Sequence, residues 1–447
     1  MRKNGLRSFL LVSTLVLLGG CEALFGQGGW FGDKEKPPLP GKRISVLQQQ
    51  RSLVPDPLLE STEIILPAPA PNKDWPQAGG YANHAMHHMM INTVIKRSWS
   101  RDIGKGSNDE VRLISSPIVA EGKVFAIDTQ TVVSAYAVKN GDRLWRKGLT
   151  PETEDDDHMT GGLAYEKGRV FVTTGFAEVI ALDAKTGKVI WRKSVNAPMR
   201  AAPTVRGGRV FAVTLDNRLV ALNAANGDIL WTHEGIPETA SLLGEGSPAV
   251  DRGVVVVPYS SGELVALKVE NGRVLWSDSL TSSRRTDQIS TLSQIRGRPI
   301  IDRGIVFAIS NGGIMVAIDM RTGRRIWEKR IGGQEDPWVA GDYLFILTND
   351  AEIAALSRKD GKVHWVRALP RFEDEKDKED PIVWTGPILA SDRLIVAGSQ
   401  GQALAVSPYS GRILGAVKMP DGVSVPPIVA GGSLYFLTDD AELVAYR

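Results

Sequence analysis

Beyond about residue 72 the chain alternates short apolar runs with small polar turns. Around residues 203–231, Pro203-Thr204-Val205 is followed by a Gly207-Gly208 turn and by Val210-Phe211-Ala212-Val213. A polar Asp216-Asn217 turn then precedes Leu219-Val220-Ala221-Leu222, and Asn226-Gly227 leads into Ile229-Leu230-Trp231. Such runs are too short for helices, and Gly, Asn and Asp between them suit turns that need positive φ. The pattern predicts four short strands joined by turns, and a four-stranded meander of this kind is one propeller blade.

The same phrase returns down the chain. AYAVKNGDRLW ends at Trp145, ALDAKTGKVIW at Trp191, ALNAANGDILW at Trp231, ALKVENGRVLW at Trp276, AIDMRTGRRIW at Trp327 and ALSRKDGKVHW at Trp365. A seventh copy, AVSPYSGRILG, has Gly415 in place of Trp. Spacings of 38 to 51 residues with fixed internal punctuation point to a repeat architecture rather than to independent domains. A Trp side chain buries roughly 150–250 Å², so its natural place is the gap between neighbouring blades. The final run, Leu443-Val444-Ala445-Tyr446-Arg447, starts an eighth phrase that lacks its last strand. Val94-Ile95-Lys96-Arg97-Ser98-Trp99 supplies it, because Trp99 precedes Trp145 by 46 residues, the same step as Trp145 to Trp191. The expected fold is all-β: an eight-bladed β-propeller of four-stranded antiparallel blades, closed by the N-terminal strand so that no sheet edge is left open there.

Composition refines this picture. Among 447 residues, 43% are apolar and 23% charged, as in a globular chain. Residues 1–20 read as a signal peptide, with Arg2, Lys3 and Arg7 before an apolar run from Phe9 to Leu18 that is about half the ~20 residues needed to span a bilayer. Leu18-Gly19-Gly20-Cys21 resembles the lipobox of bacterial lipoproteins, which implies lipidation of Cys21; the alternative is a signal peptide with an incidental cysteine. Glu22 follows, not the Asp associated with inner-membrane retention, which favours the periplasmic side of the outer membrane. Cys21 is the sole cysteine, so no disulfide holds the fold. Residues 21–72, with PPLPG, QQQ and PAPAP, read as a flexible tether on which IILP at 64–67 could dock, and residues 73–447 as the propeller. The formal charge of +2 falls near −1 without the signal peptide, which gives no global attraction for nucleic acid.

The phrase ALDAKTGKVIW resembles the tryptophan-docking repeat of pyrroloquinoline quinone dehydrogenases, and DWPQAGGYANH at 74–84 resembles the start of those enzymes. That resemblance implies cofactor binding through adjacent cysteines and a calcium site, yet no cysteine remains once Cys21 is lipidated. No cofactor is therefore expected. His84, His87 and His88, interleaved with Met86, Met89 and Met90, suggest a metal site only weakly, and a surface segment is the preferred reading. Asp155-Asp156-Asp157-His158 lacks the spacing of a calcium loop, and EDEKDKED at 373–380 reads as an exposed excursion.

Signal, lipobox, repeat number, Trp phrases and missing cofactor residues together resemble the BamB family, propeller lipoproteins of the outer-membrane β-barrel assembly machinery. The resemblance implies a scaffold without an active site that binds the POTRA domains of BamA within the Bam complex, with unfolded outer-membrane proteins as further candidate partners. It also implies that a leucine-rich stretch before a Gly-Glu turn contacts BamA, which Ala240-Ser241-Leu242-Leu243-Gly244-Glu245 resembles. The chain departs from the family in having Leu243 where arginine is usual, and Ser293-Gln294-Ile295-Arg296 where paired aspartates are usual. Leu242, Leu243, Gln294 and Arg296 are the candidate partner-binding residues, on long connections at 232–247 and 278–298 that flank the fourth blade; a third long connection spans 366–384. Two alternatives stay open: the leucines pack under their own loop, and the propeller binds a quinone or other ligand, with or without dehydrogenase activity.

Overall fold

A computed structural model describes residues 53–59, 62–154, 159–238, 242–244, 246–281 and 293–447. Residues from Ser52 to Arg447 make one compact unit. It is an eight-bladed propeller in which each blade is an antiparallel sheet of four strands, here called a to d from the centre outwards. Blade 2, for example, contains Gly162–Glu166, Arg169–Thr173, Glu178–Asp183 and Val189–Ser194. Alternating strand directions put the a–b and c–d turns of every blade on one face of the ring. The b–c turns and the connections from strand d to the next strand a lie on the other, called the loop face below.

The burial of each strand explains the sequence pattern. Strands b and c are sandwiched between neighbouring blades, so runs such as Arg169–Thr173 and Glu178–Asp183 are buried at nearly every position. Strand d is outermost, and Val189–Ser194 buries no side chain fully. The core consists of layers between blades: Phe125, Val133 and Ile127 of blade 1 meet Leu163, Val170 and Ile180 of blade 2, and similar clusters recur round the ring.

The repeated Trp closes each layer. Trp99, Trp145, Trp191, Trp231, Trp276, Trp327 and Trp365 donate their indole N–H to the main-chain carbonyls of Val138, Ala184, Ala224, Val269, Met320, Arg358 and Pro408, at 2.7–3.1 Å. Every acceptor lies in the c–d turn of the following blade. The glycine of that turn sits beneath the indole: a Cβ on Gly187 would lie 2.5 Å from Cε3 of Trp145, and its φ of 71° also favours glycine.

Blade 8 is made of Ile428–Ala430, Ser433–Leu437 and Glu442–Tyr446, completed by Arg97–Asp102. Trp99 lies opposite Ala445 and Asp102 opposite Glu442, while Lys96 and Arg447 exchange two backbone hydrogen bonds of 2.9 Å. This closure accounts for Gly415. Blade 8 joins its last two strands by pairing distant parts of the chain, so it has no c–d turn to receive an indole from blade 7. Seven receiving turns match seven tryptophans.

The segment before blade 8's last strand differs from the surface segment expected for His84–Met90. Residues 70–91 run round the turn-face end of the central channel and bond to strand a of successive blades. Trp75 exchanges hydrogen bonds with Val119 of blade 1; Ala82 accepts from Val250 of blade 4, Asn83 from Ile301 of blade 5, and Met89 donates to Leu389 of blade 7. His84, His88 and Met89 are buried. The backbone amides consumed in this way explain why a segment without strand periodicity is nevertheless ordered by the ring. Upstream, Ile64 is buried and Ile65 donates its amide to the Tyr343 hydroxyl at 3.3 Å, so IILP docks on the propeller.

Candidate partner surface on the loop face

The connection between blades 3 and 4 carries Leu242 and Leu243; the next, between blades 4 and 5, carries Gln294 and Arg296. The structure brings all four together. Gln294 is 1% exposed: its carbonyl oxygen accepts a short hydrogen bond from the Leu242 amide, and its Nε2 donates to Gly244 O at 2.9 Å. It is a buttress under the leucine loop, not an outward contact. Leu242 is half-buried above it, while Leu243 is 39% exposed. Ala240, Ser241 and Glu245 of the same stretch lie outside the described residues, as do Cys21 and Asp155–His158.

Arg296 links this loop to the rest of the face. Its Nε donates to Leu243 O at 2.8 Å and its Nη1 to Glu335 Oε1 at 2.8 Å, in the connection between blades 5 and 6. The other carboxylate oxygen of Glu335 accepts from Thr385 Oγ1 at 2.7 Å and from the Gly386 amide at 3.2 Å, at the start of blade 7. Arg298 pairs in parallel with Asp336, its amide and Nε donating to the two carboxylate oxygens at 2.6 and 2.7 Å. A continuous polar chain therefore spans four consecutive blade junctions. These pairs are partly buried, where charge-assisted bonds are short and geometrically demanding, so the chain fixes the loops relative to one another. Glu335 and Asp336 were not legible as site residues, because the Gly-Gly-Gln-Glu-Asp stretch carries no motif.

Beside these loops a small central hollow is lined by Arg200, Gly244, Arg296, Arg298 and Glu335. A neighbouring hollow is lined by Trp75, His84 and Trp338. Burial, helped by the positive charge of Arg298, holds the His84 imidazole down at about 4. Its Nδ1–H donates to Pro299 O at 2.8 Å. His88 turns elsewhere, donating to Pro67 O at 2.7 Å and accepting from the Asp392 amide at 2.9 Å, and His87 faces Asp302 at 3.4 Å. The three histidines thus take separate partners, and among the described residues no group of three or more His, Cys, Asp or Glu converges as metal ligands. The carboxylates nearest the hollow are both engaged by arginine. The arrangement suits recognition by shape, with Leu243 and the half-exposed Ile236 as apolar projections on a braced surface.

The third long connection is a small exposed hairpin of Phe372–Asp374 and Glu379–Pro381, closed at its base by Trp384 Nε1 donating to Pro370 O at 2.7 Å. This is the excursion expected from EDEKDKED.

Residues 129–367 match the family model described as outer membrane protein assembly factor BamB. The outer membrane protein assembly factor BamB of Shigella dysenteriae is 27% identical over 353 residues, covering 77% of this chain and 87% of the relative. The crystal structure of BamB from Moraxella catarrhalis superposes with a TM-score of 0.66 at 18% identity, over 79% of this chain and all of that one. Quinohemoprotein alcohol dehydrogenase from Comamonas testosteroni superposes at 0.64 with 14% identity, over 84% of this chain and 81% of that one. At such identities the two structures establish the shared fold alone.

Proposed function

The chain belongs to the outer membrane protein assembly factor BamB family, and we propose that it acts as a non-catalytic scaffold of the β-barrel assembly machinery, binding the POTRA domains of BamA through its loop face. The observation that carries this reading is the brace of Gln294, Arg296 and Glu335 beneath Leu242 and Leu243. Such bracing lowers the ordering cost of binding, because the loop is held before the partner arrives. Leu243 then serves as the apolar anchor and Arg296 as a polar neighbour. In this family the partner contact includes an arginine and aspartates; here a leucine and an internal arginine–glutamate pair stand in their place, so the surface relies more on apolar contact.

Lipidation of Cys21 holds the scaffold on the periplasmic side of the outer membrane in this reading. Several acyl chains at ~0.8 kcal/mol per buried CH₂ give stable anchoring. Supporting the folding and insertion of outer-membrane β-barrel proteins then means holding BamA in position rather than performing chemistry. Affinity capture from mild-detergent extracts tests the proposal: BamA is expected to be recovered with the wild-type chain. Capture without BamA, together with quinone absorbance in the purified protein, would instead support the ligand-binding propeller.

A further inference from the structure

We infer that the turn face of the ring, opposite the proposed BamA surface, is a docking surface for an anionic lipid bilayer. A formal charge of only +2 conceals a strong segregation of charge between the two faces. The c–d turns, all on the turn face, include VKNGDR at 138–143, DAKTGK at 183–188, KVENGR at 268–273, MRTGRR at 320–325 and KDGK at 359–362, in which Lys362 pairs with Asp56 while the preceding Arg358 is buried against Asp302. Ring closure adds Lys96, Arg97 and Arg447 to the same side. Over the a–b and c–d turns together, basic side chains outnumber acidic ones by about two to one; among the described residues of the loop face the ratio is reversed. The hairpin at 372–381 contributes heavily to that acidic side. The segregation is invisible along the sequence, because successive turns alternate between the faces.

The basic turns are bordered by aliphatic side chains. The residue before the docking Trp, or before Gly415, is Ile190, Leu230, Leu275, Ile326 and Leu414 in five blades, each 40–46% exposed although it directly follows the turn region. Lysine and arginine flanked by exposed aliphatics is the chemistry of interfacial binding: the cations meet anionic headgroups, and the apolar groups enter the boundary beneath them. An acidic protein would answer the charge alone. These features recur on blade after blade around a circumference, so engaging them together requires a partner as broad and flat as the ring. A leaflet containing anionic lipid fits that description. Docking in this way presents the loop face away from the bilayer, and it does not depend on the identity of the loop-face partner.

The test uses the chain from Glu22 onward, which lacks the lipidated cysteine but keeps the whole ring, in flotation with vesicles of phosphatidylcholine alone or with one-third phosphatidylglycerol. Flotation is expected only with phosphatidylglycerol and should vanish near 1 M salt, where charges are screened beyond about 3 Å. Replacing Lys185, Lys188, Arg321 and Arg324 together by Gln should lower the partition coefficient more than tenfold, since each cation at an anionic leaflet contributes about a fivefold factor. Thermal unfolding of this variant should match wild type, because all four side chains lie in exposed turns. Leu230→Ser with Leu275→Ser should weaken flotation at constant charge, whereas Lys376→Gln with Lys378→Gln on the loop face should leave it unchanged. Equal flotation with both vesicles, no loss in the fourfold variant, or binding to polyglutamate but not to vesicles would overturn the inference; the last result would identify an acidic protein as the partner class.

Discussion

Replacing Trp191 by Ala removes one wedge between blades 2 and 3. Its indole bonds to Ala224 O at 3.1 Å, lies with its centroid 6.0 Å from that of Phe171, and covers Gly227 so closely that a Cβ there would approach Cε3 to 2.7 Å. Core Trp→Ala changes cost about 3–5 kcal/mol. The lower end applies, because the ring is only half-buried and Ala224 O also accepts from Arg169 Nη1 at 2.6 Å, so its carbonyl is not orphaned. A loss of about 3 kcal/mol in a ring of this size lowers Tm by roughly 4 °C, readable by calorimetry. The converse substitution is the sharper half of the experiment. Gly415→Trp restores the repeat consensus but has no receiving turn in blade 8, and a Cβ at Gly415 meets no atom within 4 Å. It should therefore leave Tm unchanged or slightly lower. A stabilisation by Trp at 415 comparable to the loss at Trp191 would refute the explanation of wedge and receiving turn.

Two other substitutions probe the brace and the channel floor. Gln294→Ala leaves the Leu242 amide and Gly244 carbonyl without their buried partner; at about 1–3 kcal/mol for each orphaned group, the loop should open locally, speeding amide exchange at Leu242 and weakening BamA capture roughly tenfold while Tm changes little. His84 is kept neutral in the folded protein down to about 4, against an ordinary value of 6.5, so the unfolded chain binds the extra proton first as pH falls. The associated stability is fully present above pH 6.5 and lost between there and pH 4, by up to about 3 kcal/mol. Comparing the pH dependence of Tm in wild type and His84→Gln isolates this contribution, and identical slopes between pH 6.5 and 4 would contradict it.

The propeller was legible because its evidence repeats. Period, strand length, Gly placement and Trp position agree in copy after copy, and the 46-residue step from Trp99 to Trp145 was enough to assign the closing strand. The reason for Gly415 was not legible, since it depends on a turn missing from a different blade. His84–Met90 misled for a related reason: a stretch of histidine and methionine without period looks like a surface segment, yet its backbone is held by Trp338 of blade 6 and by Leu389 and Ser391 of blade 7, which only the closed ring brings to it. The leucine loop was legible as a partner candidate through family resemblance, and its neighbour at 294–296 through connection order. That Gln294 points inward, and that Glu335 continues the brace, depends on three-dimensional convergence between connections about 40 to 90 residues apart. Charge likewise averages out along the chain and separates only when topology sorts the turns.

Site-specific photocrosslinking in intact cells tests the scaffold reading most directly. A photoreactive amino acid in place of Leu243 should yield a covalent adduct with BamA, while the same probe at Thr186, in a c–d turn on the opposite face, should yield none. An adduct from position 186 with none from 243 would place BamA on the wrong face and contradict the account.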